Sequence, residues 1–259
     1  MLGFRRRPAP RIPQRQTTGA RVTRPHVSGV VYAIGDLHGR LDLFEKLIDL
    51  VREDAAGLAA EEQPVIVLLG DYIDRGPESA GCIERSVRLC AETWCSVKAL
   101  KGNHEEALLL FLKDVDVGRN WIQHGGAATL QSYGVDLTSQ PDWSTAQAAF
   151  ARAFPPEHLR FMLALQPYYQ QGDYVFVHAG VRPGRALEQQ SEADLLWIRE
   201  AFLNVETPLE GKVVVHGHTP TPGPELKRGR INVDTGAYAS GVLTAVRLRG
   251  FERTILQAR

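Results

Sequence analysis

Five short stretches combine carboxylates, imidazoles and an amide with flanking glycines: GDLHG (35–39), GDYIDRG (70–76), GNHE (102–105), VHAG (177–180) and HGHT (216–219). They carry Asp36, His38, Asp71, Asp74, Arg75, Asn103, His104, His178 and His218. A mixed shell of carboxylate, imidazole and amide oxygen suits manganese, iron or zinc, whereas calcium prefers oxygen alone. Three aspartates and several histidines exceed what one ion needs, so the set points to two divalent ions bridged by a carboxylate. Such pairs sit about 3.5–4 Å apart, clamp the attacking and leaving oxygens of a phosphoryl displacement, and lower the pKa of bound water toward about 7. Arg75 adds a planar fork able to grip phosphate oxygens bidentately.

Each stretch follows an apolar run. GVVYAI (29–34), VIVLL (65–69) and SVKAL (96–100) read as buried strands, and YVFVHAG and VVVHGHT begin with two more. Between them, Leu41, Phe44, Leu47, Ile48 and Val51 share one helical face, and Ile83, Val87, Cys90 and Trp94 mark a second helix. EEALLLFLK reads as a third, and DLLWIREAFL as one more. Alternation of this kind argues for parallel strands joined by crossover helices. In open α/β sheets ligands bind outside the carboxyl ends of the strands, so the five endings can meet at one edge. Residues 113–172 lose the alternation and read as an embedded cap, while RINVDTGAY, GVLTAVRLRG and FERTILQ read as a closing antiparallel run. The expected fold is α/β, with mixed sheets flanked by helices.

A chain of 259 residues can bury a substantial core, and 44% apolar with 23% charged residues is ordinary for a soluble protein. No apolar run approaches the roughly 18–20 residues that span a bilayer. The opening MLGFRRRPAPR lacks an apolar signal segment, so a cytoplasmic protein with no membrane partner is expected. The zero net charge hides an asymmetry: residues 1–28 hold seven Arg and no acid, leaving 23 basic against 30 acidic residues in 29–259. The basic, Pro-rich stretch reads as a disordered arm ahead of a single domain, and it is the one candidate contact for nucleic acid, which is not otherwise expected. Cys82, Cys90 and Cys95 form no CxxC spacing and read as small packing residues of a reducing compartment.

The ordered series GDxHG, GDxxDRG, GNHE and two strand-end histidines resembles the calcineurin-like metallophosphoesterases, specifically the serine/threonine phosphoprotein phosphatase branch. The resemblance spans residues 35–219. It implies a sandwich of two mixed sheets, a first metal on Asp36 and His38, Asp71 as the bridge, and a second metal on Asn103, His178 and His218. It also implies His104 as proton donor oriented by Asp74, with Arg75 and, on the shorter match LLWIRE, Arg199 on the phosphate. Many broader relatives end in GHxH, but Pro220 stands at that last position here, and His216 reads as a neighbour of the site. The eukaryotic SAPNY loop is replaced by INVDTGAY, and a W…GG..TL segment (Trp121 to Leu130) is similar to the short bacterial enzymes. The implied substrate is a phosphoprotein or small phosphorylated molecule: phosphoserine, phosphothreonine and phosphotyrosine first, dinucleoside polyphosphates as the alternative. For the latter, Trp121, Tyr133, Trp143, Tyr168 and Tyr169 are the candidate adenine platforms, although packing is the commoner role of such residues. A non-catalytic binding module would have lost a ligand, and none is lost.

Overall fold

The computed structural model describes residues 24–59, 62–137 and 142–259, so the expected basic arm lies, up to Thr23, outside the described residues. β1 (Val27–Ile34) runs through the middle of a five-stranded sheet, its last five residues buried. After α1 (Leu41–Ala55) comes β2 (Val65–Leu68), and after α2 (Ser79–Ala91) comes β3 (Ser96–Ala99); both strands pair parallel in the order β1-β2-β3. Helix α3 (Asn103–Phe111) then leads into the covering segment: α4 (Val115–Trp121), a kinked turn (Ile122–Gly126), α5 (Ala127–Ser132), α6 (Trp143–Ala153) and α7 (Pro156–Ala164).

The second sheet begins with β4 (Tyr168–Gln171) and β5 (Tyr174–Val177), then continues after α8 (Glu192–Trp197) and α9 (Glu200–Leu203) with β6 (Val213–His216), β7 (Glu225–Leu226) and β8 (Arg230–Asn232). Its order is β4-β5-β6-β8-β7, with β5, β6 and β8 parallel. The short α10 (Ala237–Ser240) precedes β9 (Leu243–Gly250) and β10 (Glu252–Ala258), a hairpin that returns to the first sheet and pairs antiparallel to β1.

Strand periodicity sorts side chains between two interfaces. Val31, Ala33, Val67, Val246 and Leu248 point inward and meet Phe176, Val213, Val215 and Ile231 of the other sheet. Tyr32, Ile34, Ile66 and Leu68 point outward onto the buried faces of α1 and α2. On the far side, Val175, Val177 and Val214 meet Leu195, Ile198 and Phe202. The result is a sandwich of two mixed sheets with helices outside each. At the carboxyl edge the sheets close on one another at Gly35, where a Cβ would lie 2.5 Å from the Val233 carbonyl oxygen. Only glycine allows that approach.

Several elements differ from the sequence reading. β1 starts at Val27, and packing begins earlier still: the His26 N–H donates to Asp173 at 2.9 Å, and the Arg24 guanidinium stands 5.4 Å over the Phe251 ring. α2 buries Cys82, Ile83, Arg85, Ser86 and Leu89, leaving Cys90 exposed and Trp94 beyond the helix end. The stripe shifts because Arg85 is buried by ion pairs with Glu45 and Glu92, both at 2.8 Å. The covering segment stops short of Tyr168, whose strand is an edge of the second sheet. The closing segments are not one antiparallel run: β8 joins the second sheet, and only β9 and β10 form the hairpin. Periodicity identifies a strand but not its neighbour. Among the described residues, no helix is long and apolar enough to cross a membrane.

Phe176 is fully buried between the sheets and stacks on Tyr169 with ring centroids 5.9 Å apart. Phe176→Ala should lower unfolding stability by about 3–5 kcal/mol, the usual loss for a core Phe, read as a shift in the urea midpoint at unchanged slope. A loss well under about 1 kcal/mol would mean that the sheets are not held by this contact.

Candidate metal centre

The strand ends deliver the expected residues to one place. Asp36 and His38 follow β1; Asp71, Asp74 and Arg75 follow β2; Asn103 and His104 open α3 just after β3; His178 follows β5 and His218 follows β6. All but Arg75 are buried, none more than 6% exposed, while the Arg75 guanidinium reaches the surface. The backbone is bent to achieve this. The non-glycine residues with left-handed φ, among those described, are His38, Asp71, Asp74, Arg75 and His218. Such conformations are disfavoured in L-residues and persist where surrounding structure over-determines them.

Hydrogen bonding sets the imidazole tautomers. Nδ1–H of His38 donates to the Ile73 carbonyl (2.8 Å) and Nδ1–H of His178 to the Leu69 carbonyl (2.9 Å). A neutral ring so tied presents Nε2 as a bare lone pair. His38 Nε2 lies 3.4 Å from one Asp71 oxygen and His178 Nε2 lies 3.4 Å from the other. His178 Nε2 and His218 Nδ1 also crowd the Asn103 side-chain oxygen at 2.9 and 2.8 Å, and buried His218 Nε2 has no partner among the described residues. The His178 Nε2 lone pair facing the Asp71 and Asn103 oxygens, and the unpartnered His218 Nε2, are donors that a cation would satisfy. Protons are a poor choice: burial brings His38 down to about 3 and lowers His178 and His218 as well. Burial, with the carboxylates of Asp234 and Asp71 nearby, pushes Asp36 well above the usual range. The donor set therefore fits divalent metal.

The donor atoms form two groups, His38–Asp71–His104 and Asp71–His178–His218, each with ligand atoms within 4.8 Å of one another. Asp71 is common to both, which is the geometry of a bridge. The first group contains His104 where the resemblance implied Asp36. The Asp36 carboxylate instead accepts the His218 backbone N–H at 3.0 and 3.2 Å.

His104 differs from the other site histidines. Burial opposes its protonation, but Asp71 and a hydrogen bond to Asp74 outweigh that and raise its pKa. Its Nδ1–H donates to Asp74 at 2.5 Å, leaving Nε2 toward Asp71 (3.8 Å) and Arg75 (3.2 Å). The other Arg75 terminal nitrogen lies 2.7 Å from His38 Nε2. Arg199 reaches the same mouth because DLLWIREAFL is not one helix: Ile198 is extended, α9 starts afresh, and Arg199 donates to the Thr219 hydroxyl at 3.2 Å. His216 lies off the cluster, its Nε2 facing Arg230 at 3.3 Å and its ring edge-on to Phe202.

Four residues were missed. Glu105, the last letter of GNHE, accepts the backbone N–H groups of Asp71 (2.8 Å), Gly102 and Tyr72 (both 2.9 Å), and so fixes the bridging turn. Burial and the adjacent Asp71 carboxylate push it up to about 8. Asp234, in INVDTGAY, is a third buried carboxylate beside Asp36 and Asp71, pushed by burial up to about 6. Its signal was the unassigned Asp-Thr-Gly turn. Tyr238 and Trp197, 40% and 48% exposed, flank the mouth. Tyr238 covers the Arg75 guanidinium at 4.7 Å, and Trp197 stands 6.4 Å from His218. No periodicity marks either as a surface aromatic.

The calcineurin-like phosphoesterase profile matches residues 29–246, and the chain belongs to that family. Its members use divalent metals. Serine/threonine-protein phosphatase 1 of Salmonella typhimurium is 29% identical over 233 residues, covering 85% of this chain and 92% of its own. An asymmetrical bis(5'-nucleosyl)-tetraphosphatase of a Geobacillus species is also 29% identical over 233 residues, covering 83% and 88%. Among solved structures, a protein provisionally named a diadenosine tetraphosphatase superimposes with a TM-score of 0.61 at 21% identity, covering 91% of this chain and 96% of its own. A cold-active protein-tyrosine phosphatase of Shewanella gives 0.57 at 15% identity, covering 90% and 81%. Both structures share the sandwich fold.

Asp71→Asn should lower bound metal by nearly two ions per chain, and Asp36→Asn by at most one, because only Asp71 belongs to both groups. Metal analysis of protein loaded and then desalted checks this; a stoichiometry untouched by Asp71→Asn would remove it from the bridging position.

Proposed function

We propose that this metal-dependent hydrolase cleaves phosphomonoesters, with phosphoserine and phosphothreonine of proteins, and phosphotyrosine beside them, as substrates. The observation that carries the reading is the Arg75 guanidinium spanning His38 and His104, the two imidazoles grouped with the shared Asp71 carboxylate. A phosphoryl group held there lies between a fixed cationic fork and the proposed metal ligands. Asp36 and His38 would hold one divalent ion, Asn103, His178 and His218 the other, and Asp71 would contribute to both; manganese is the proposed metal, with iron or zinc as alternatives. When bound, the ions supply Lewis acidity that activates water and offsets developing phosphate charge.

The chain's own groups do the rest. Arg75 and Arg199 grip the phosphoryl oxygens from two sides, Arg75 held between His38 and His104 and Arg199 beside His218 on Thr219. His104, with Nδ1–H tied to Asp74, presents Nε2 to the departing oxygen and delivers its proton there. Asp74 holds the ring in that orientation and stabilises its charged form, as a carboxylate behind a catalytic imidazole does.

The protein-substrate reading is supported by the packing of the five candidate adenine platforms. Trp121 is buried in the core of the covering segment, and the other four are half-buried with ring surface committed to packing: Tyr133 and Trp143 against that core, Tyr169 on Phe176 and Tyr168 on the outer core. Dinucleoside polyphosphate hydrolysis is the second reading. Tetraphosphatase relatives are as similar as the phosphatase relative, and exposed Tyr238 and Trp197 supply two ring faces at the mouth. Turnover of the manganese-loaded protein on phosphopeptides and on diadenosine tetraphosphate, measured side by side, separates them: a kcat/KM higher on the dinucleotide by tenfold or more, about 1.4 kcal/mol, would replace the first reading by the second.

If His104 is the proton donor, its loss should matter most when the departing oxygen leaves badly. His104→Asn is expected to cost much of the typical 10²–10⁴-fold acid contribution on a phosphoserine peptide, and clearly less on p-nitrophenyl phosphate. Single-turnover rates, with metal content checked, make the comparison; equal slowing of both would reassign His104 to phosphate binding.

A further inference from the structure

The W…GG..TL segment has no part in the chemistry described so far, yet two of its side chains touch Asp74. The Trp121 indole N–H donates to Asp74 Oδ2 at 2.6 Å, the same oxygen that receives His104 Nδ1–H. The Thr129 hydroxyl donates to Oδ1 at 2.5 Å and also lies 3.0 Å from the Asp74 backbone N–H. Trp121 and Thr129 are 3% and 0% exposed. An indole nitrogen can only donate, so this contact commits the facing carboxylate oxygen to accepting.

The glycines of the segment make the contact possible. At Gly125 φ is +117°, and a Cβ there would lie 2.9 Å from the Arg75 backbone nitrogen, whose N–H donates to the Gly125 carbonyl at 3.2 Å. At Gly126 a Cβ would meet the Trp121 ring at 2.6 Å. The kinked turn at His124 and Gly125 therefore packs against the Asp74–Arg75 corner, with the Trp121 ring close against Gly126. Ordinary helix packing against a neighbour needs neither this kink nor polar contacts to one buried carboxylate.

We propose that Trp121 and Thr129 are positioning residues for proton donation: they fix the Asp74 carboxylate in the rotation that holds His104 Nδ1–H, and so aim His104 Nε2 at the departing oxygen. The assignment rests on His104 being the donor. With either contact gone the carboxylate can turn about its χ2 bond, the imidazole loses its fixed orientation, and the proton reaches the departing oxygen late. Substrates whose leaving oxygen needs no proton are spared.

The test uses manganese-loaded full-length protein, single-turnover kinetics, and phenyl phosphate against p-nitrophenyl phosphate, which share a phosphoryl group and differ in leaving ability. Trp121→Phe keeps the ring and removes the N–H; Thr129→Val keeps the shape and removes the hydroxyl; Thr129→Ser keeps the hydroxyl. Outer-shell partners of site groups typically contribute 10–100-fold, so Trp121→Phe and Thr129→Val should each slow phenyl phosphate by about tenfold or more, and p-nitrophenyl phosphate by no more than about twofold. Thr129→Ser should restore the phenyl phosphate rate. Melting temperature and metal content identify a variant that has merely unfolded, and the other position then stands as an independent test. If folded, metal-replete Trp121→Phe and Thr129→Val slow both substrates equally or neither, while His104→Asn keeps its leaving-group dependence, the positioning role is overturned. Equal slowing by His104→Asn itself would instead overturn the donor assignment beneath it.

Discussion

Three buried carboxylates, Asp36, Asp71 and Asp234, share one edge of the protein with the lone pairs of His38, His178 and His218. Without cations this arrangement is repulsive: like charges stand close together out of water, where charge–charge energies far exceed their values in bulk solvent. Burial holds these three imidazoles neutral, so the histidines do not supply the missing positive charge. Divalent ions, which members of the family use, would supply it, and the remaining features of the edge keep the donors in place.

Keeping them in place is costly. Left-handed φ at His38, Asp71, Asp74, Arg75 and His218 costs on the order of 1–3 kcal/mol per residue, and it must be offset elsewhere. Glu105 contributes locally by accepting three backbone N–H groups around the Asp71 turn. The larger contribution comes from the inter-sheet core, where Val31, Ala33, Phe176 and Val215 are fully buried. Because Asp71 follows a strand of the first sheet while His178 and His218 follow strands of the second, a metal held by this group would tie the two sheets together. Metal binding there would be coupled to folding.

The covering segment joins chemistry to fold in a second way. Its outer contacts are apolar: Phe150 packs tilted or edge-on against Phe154, Tyr133 and Phe111 of α3, and the Tyr133 hydroxyl meets His158 at 2.8 Å. Its inner contacts are polar and converge on Asp74 and Arg75. A rigid apolar body thus presses fixed hydrogen-bond donors against the residues proposed to handle the proton and the phosphate. The mouth is built differently, from the exposed side chains Arg75, Arg199, Trp197 and Tyr238.

Nearly all donors of the centre were legible in the sequence because each sits in a glycine-bracketed strand end, and a strand of period two followed by a tight turn leaves few other uses for a carboxylate or imidazole. The α/β class was legible for the same reason, since apolar runs and helical stripes are local signals. What tertiary structure decided was everything nonlocal. Trp121 became a buried donor to Asp74 because a kink at Gly125 turned its helix, and Arg199 entered the mouth because α8 and α9 parted at Ile198. Asp234 joined the acidic cluster because β8 paired with β6 and not with β9, which brought its turn against Gly35. Residue types and spacing determine which groups can bind metal; which carboxylates stand side by side depends on strand partners far apart in the chain, and no local pattern encodes those.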